Sequence, residues 1–190
     1  VVSSLSKMPT KINPICIHPM FGPGIKTLKG QNIISVPIKD AKKELTMAKT
    51  LFEGANFVTI DAVEHDKKIA VILGLTHLMN LVFANIISKD EKTMLTEKMS
   101  GTTFRVQKTL AEGIMTESPE LIETIIANPE IRRVAEELWK DIGRLLTAVQ
   151  ESKTDEVIEY VKECQERLAK HTDVDESYKR LAKMVKAVEK

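Results

Sequence analysis

Apolar positions fall into two regimes along the chain. Up to residue 60 they come in short runs: Ile15-Cys16-Ile17, then Ile33-Ile34-Ser35-Val36-Pro37-Ile38, then Phe57-Val58-Thr59-Ile60. The first two are bounded by Gly, Pro or Asn, and all three read as short strands. Pro19-Met20-Phe21-Gly22-Pro23-Gly24 lies between them and is too rich in Pro and Gly for regular structure. From Asp40, the residues Ala41, Leu45, Ala48 and Leu51-Phe52 recur at helical spacing as far as Gly54, a C-terminal stop. Residues 1–60 therefore read as the edge of an α/β unit.

From Asp61 onward the pattern is nearly all helical. Residues 62–88 predict one long helix, and Ile69 to Ile87 contain no charged side chain. A membrane span needs about 20 such residues. Gly74, Thr76, His77, Asn80 and Asn85 interrupt the run and are costly in lipid. A helix apolar on every side is instead one buried on every side, which a domain of roughly 100 residues seldom achieves alone. The pattern thus predicts a homodimer and no membrane.

Ser118-Pro119-Glu120 and Asn128-Pro129-Glu130 each set a capping side chain before a proline at a first helical position. The second helix is expected to bury Ile131, Val134, Ala135, Leu138, Ile142, Leu145 and Val149, with Trp139 packed at the stripe's edge. Thr154-Asp155 opens another helix. Residues 171–190 form a charged amphipathic helix or linker. Met79, Met94, Met99 and Met115 read as core filler. The fold class is mainly α: a helical domain over 61–170 preceded by a short α/β remnant over 1–60.

Charge changes this picture only once the chain is divided. The net charge of +1 hides an N-terminal stretch with Lys7, Lys11, Lys26, Lys29 and Lys39 and no acid before Asp40. Such a field suits anions. Nucleic acid is excluded by 4% aromatic content and the lack of a basic helix with stacking residues. Cys16 and Cys164 lack CxxC spacing, and a reducing cytoplasm is the expected compartment. The Val1 start has no signal-peptide character and suggests a trimmed or excised chain. No GxGxxG, GxxxxGK[ST] or HExxH occurs, and the spacing of His18, His65, His77 and His171 recommends no metal site.

His18 is the most informative histidine. It follows an apolar strand, is locked by Pro19 ahead of a Pro/Gly loop, and lies inside the acid-free stretch. Nearby lysines would push its pKa down, and a neutral imidazole accepts a hydrogen bond or proton from a hydroxyl. Glu64 and Asp66 beside His65 fit a solvated first helical turn equally well. His65 and His77, twelve residues apart, are rotated by about 120° on a straight helix and cannot share one point.

His18-Pro19-Met20-Phe21-Gly22-Pro23, Ala62-Val63-Glu64-His65-Asp66, Gly74-Leu75-Thr76-His77-Leu78 and Thr103-Phe104-Arg105 through Ser118-Pro119-Glu120-Leu121 occur in that order. Over about residues 1–170 this set resembles the prephenate dehydrogenase family, which oxidises prephenate or arogenate on the route to tyrosine. The resemblance implies a Rossmann domain binding NAD or NADP ahead of this chain, and a helical domain that dimerises and closes the substrate site. It implies that His18 is the catalytic acceptor for the substrate hydroxyl. It makes Arg105, His65, Lys108, Gly22 and His77 substrate-binding candidates, and Pro19 and Met20 cofactor contacts. Two substrate carboxylates call for cations, preferably a guanidinium. Gly113 stands where many members carry arginine. That departure keeps a second reading in view, a non-catalytic helical dimer that binds or senses a small dicarboxylate.

Overall fold

A computed structural model describes residues 2–9, 11–22 and 24–188, so Pro23 of the His18 loop lies outside it. The described residues are 65% helical with one small sheet. The chain divides into two compact units, Val1–Ile69 and Ala70–Lys190. The division falls inside the continuous helix Ala62–Ile87, nine residues later than the change of sequence character at 60/61.

The first unit carries helix α1 (Val2–Leu5), strand β1 (Ile17–Pro19), strand β2 (Asn32–Ser35), helix α2 (Ala41–Leu51), strand β3 (Asn56–Thr59) and helix α3 (Ala62–Ile69). β1 pairs antiparallel with β2, setting His18 opposite Ile34. β2 pairs parallel with β3 across α2, a βαβ unit. Ile33 is fully buried and Val36 nearly so. Asp40 caps α2 by accepting from Lys43 N at 3.0 Å. Gly54 turns the chain into β3 at φ +86°, where a side chain would be strained. β1, β3 and α2 match the predicted positions within about two residues, whereas β2 ends at Ser35, three residues before the end of the predicted run at Ile38.

The second unit opens with a π-helical turn (Ala70–Leu75), followed by α4 (Thr76–Ile87), α5 (Thr93–Met99), α6 (Thr102–Ile114), α7 (Pro119–Ile126), α8 (Ile131–Gln150), α9 (Thr154–Ala169) and α10 (Val174–Val188). Widening a helix by one residue disturbs its carbonyl pairing. Thr76 Oγ1 donates to Ile72 O at 2.7 Å, and His77 Nδ1 lies 2.7 Å from Leu73 O, so side chains satisfy carbonyls of the turn. Ala70 of the turn packs with Ile131 and Val134 of α8. Gln107 of α6 donates to Asn80 Oδ1 of α4 at 2.8 Å, and Phe83 meets Phe104 at 5.8 Å between ring centroids. Ser118 caps α7 through Leu121 N. Asn128 accepts from Glu130 N, forming a turn that delays α8 to Ile131 rather than Pro129. Residues 174–188 form a helix that packs on α6.

Several predicted core positions are not covered within the chain. Trp139 is 77% exposed, Ile142 and Val149 are exposed, and so are Met79, Met94, Met99 and Met115. The α8 stripe is buried at Ile131, Val134 and Ala148. Periodicity marks an apolar face, but a single chain offers no second layer for the rest of that face. The helix Ala62–Ile87 is long and apolar enough to cross a membrane by length and composition, with 28% of its most apolar window buried.

Candidate active site

The sequence around His18 builds a strand exit. His18 lies in the middle of β1, held by pairing with Ile34, and Pro19 ends the strand opposite Ile33. Asp61 starts α3 by accepting from Val63 N and Glu64 N at 2.9 and 3.0 Å. One turn in, α3 presents His65. The two histidines meet: His18 Nδ1 lies 3.0 Å from His65 Nε2, and the ring centroids are 5.3 Å apart. On its other side, His65 Nδ1 lies 2.9 Å from Asp66 Oδ1.

These side chains line a cavity of about 530 Å3 together with Cys16, Ile17, Val36 and Ala62. That volume lies in the range of small-molecule sites. Burial is the larger cause holding the His18 pKa below the ordinary histidine value, and the His65 ring adds to it. The cause is therefore not the lysines that the sequence suggested. Burial likewise pushes the Cys16 thiol up, with help from Glu44.

The remaining candidates are placed as follows. Gly22 is exposed, and an added Cβ would meet nothing within 4 Å, so sterics do not require glycine there. Pro19 has no N–H, and Met20 donates its own to Asn32 O at 2.9 Å, so neither backbone nitrogen is available to a cofactor phosphate. In the second unit His77 is buried, its Nε2 lying 3.3 Å from Glu117 Oε2. Arg105 donates from Nε to Ser100 Oγ at 3.1 Å. Lys108, one turn on, is paired with Glu97 and with Glu112 at 3.3 Å. The hydrogen bond that Lys108 donates to Glu97 is the main cause raising its pKa. A substrate carboxylate would have to displace those two acids, which the spacing of Arg105 and Lys108 could not reveal.

Asp66 was missed as a site residue, although its adjacency to His65 was the available signal. Glu44 was missed altogether. Its two oxygens accept from Ile38 N, Lys39 N and Asp40 N at 2.8, 2.7 and 2.8 Å. These donors open α2 after β2, the place where a parallel βα unit cradles a dinucleotide phosphate. With the chain's own carboxylate there, this turn does not fit NAD or NADP. Among the described residues no group of three or more His, Cys, Asp or Glu could hold a metal ion.

Residues 61–163 match the prephenate dehydrogenase dimerization domain. A probable arogenate/prephenate dehydrogenase of Methanocaldococcus jannaschii is 23% identical over 185 residues, which is 90% of this chain and 41% of that protein's length. The chain thus spans less than half of that curated relative. In fold, it is similar to the Synechocystis arogenate dehydrogenase, with a TM-score of 0.63 and 13% identity, covering 83% of this chain and 61% of that one. It is also similar to the Aquifex aeolicus prephenate dehydrogenase, with a TM-score of 0.57 and 18% identity, covering 82% and 59%. The order of motifs, the helical unit and the extent of the match together show that this chain belongs to the prephenate dehydrogenase family, of which it carries the dimerization domain.

Proposed function

We propose that the protein carrying this chain oxidises and decarboxylates prephenate or arogenate, with this chain supplying the hydroxyl-binding side of the substrate site and a homodimer interface. Prephenate is a cyclohexadienol; its C4 hydride leaves as the ring carboxylate departs as CO2, and the C–C electron pair left behind makes the ring aromatic. NAD or NADP, held outside the residues described, supplies the hydride acceptor. This chain is assigned the acceptor for the C4 hydroxyl, and otherwise binding and orientation.

The observation that carries the reading is a half-buried His18 whose pKa is held low, lining a cavity of substrate size. A neutral imidazole accepts the C4 hydroxyl proton in a hydrogen bond, pushing electron density toward the ring and easing hydride departure. Arg105 and Lys108 are the candidate partners of the two substrate carboxylates, Arg105 by a bidentate contact. The second reading, a dicarboxylate-binding dimer without catalysis, draws support from the pairing of Lys108 with Glu97 and Glu112 and from Gly113.

The test is a nicotinamide absorbance assay on the full-length protein with prephenate and arogenate, each with NAD and NADP. One pair of substrate and cofactor is expected to turn over. His18→Asn should lower kcat by about 100-fold or more while KM changes little, as loss of a general base does. Unchanged kcat removes His18 from the chemistry. Binding of the dicarboxylate without turnover in any combination selects the second reading.

A further inference from the structure

The chain Asp66–His65–His18 fixes which nitrogen of His18 is the acceptor. A carboxylate oxygen only accepts, so at 2.9 Å from Asp66 Oδ1 the Nδ1 of His65 carries the proton. A neutral His65 then has a bare Nε2. That atom lies 3.0 Å from His18 Nδ1, which must therefore be the donor. The proton of a neutral His18 is thereby placed on Nδ1, and its Nε2 keeps a lone pair. Among the described residues Nε2 of His18 has no hydrogen-bond partner, and the ring borders the cavity.

From this geometry we infer that Asp66 and His65 are positioning residues: they hold His18 in the tautomer whose Nε2 accepts a substrate hydroxyl. This rests on the function proposed above and assigns His65 a different part in it, since a ring committed on both nitrogens is a spacer between Asp66 and His18 rather than a substrate ligand. The opposite tautomer would offer the hydroxyl an N–H and remove the electron push. A positive charge forming on His18 would also be shared along the chain toward Asp66, whose side chain is 57% exposed.

The inference is tested on the full-length protein by nitrogen-15 NMR of the imidazole rings and by steady-state kinetics. In the unaltered protein His18 should show a protonated Nδ1 and a bare Nε2. Asp66→Asn can present an amide N–H to His65 and reverse both rings, so the His18 signals should exchange character. Its kcat should fall at least about tenfold with KM within about twofold, and Asp66→Glu should restore much of the loss. A bare Nδ1 on His18 in the unaltered protein overturns the inference, as does Asp66→Asn with unchanged kcat. The ring spectrum needs no turnover. A protein inactive on both acids would therefore sink the functional reading while the tautomer still decides this one.

Discussion

A buried carboxylate normally titrates high, and Glu44 does the reverse. Burial raises its pKa, but the three backbone N–H donors at 38–40 outweigh that, and the net result lies below the ordinary glutamate value. The anion is thus more stable in the folded chain than in the unfolded one. Its contribution is complete above pH ~4.3, the ordinary glutamate value. It is lost as pH falls through the lower folded value, because protonation then favours the unfolded chain. Glu44→Gln should cost about 1–3 kcal/mol in urea unfolding at pH 7, since it leaves charge-assisted donors poorly satisfied. The gap between the two proteins should narrow toward pH 3. A constant gap across that range would mean that the side chain's shape, not its charge, holds the loop.

Among elements, the π-helical turn is the one whose geometry depends on a single small residue. An added Cβ on Gly74 would stand 2.3 Å from Ile131 Cδ1 and 2.5 Å from Cγ1, and Ile131 is 4% exposed between Ala70 and Val134. Gly74→Ala gains helix propensity but forces α8 away from the turn, and overpacking of this kind costs about 1–3 kcal/mol. A Tm lower by several degrees is expected. Adding Ile131→Val, which removes Cδ1, should recover part of it; a double variant no better than the single one would place the strain elsewhere.

The long helix over 62–87 was legible from its charge-free run, α2 from its apolar spacing and α7 from its Ser118-Pro119 start, because those signals are local. The π turn was not legible. Its Gly74 packs against Ile131, more than fifty residues further on, a contact that no local pattern names. The meeting of His18 with His65 was hidden for the same reason: strand pairing and the start of α3 together decide it, and neither motif names the other. Conversely, the sequence placed four methionines inside and Trp139 packed at the edge of a core stripe, since periodicity records that a face is apolar without recording which chain covers it.

At the scale of the molecule, those uncovered faces are the strongest constraint left. On α4, Met79, Val82 and Ile86 are 47, 54 and 62% exposed; on α8, Trp139, Leu146 and Val149 are 77, 53 and 66% exposed. Burying a large apolar side chain is worth about 1.5–3 kcal/mol. A stable dimer interface takes about 800 Å2 and about 20–30 residues per partner, and such residues would form its apolar centre. With 28% of the apolar window of helix 62–87 buried in one chain, a second copy is the simplest source of the missing cover. Sedimentation at about 10 μM should give twice the 21.3 kDa of one chain. Ile86→Lys and Leu146→Lys, made singly, would each bury an ammonium without a partner at such an interface and should shift the mass toward one chain. A single-chain mass for the unaltered protein would refute the homodimer. A dimer untouched by either lysine would move the interface off α4 and α8, and leave the cover of the charge-free run to another surface.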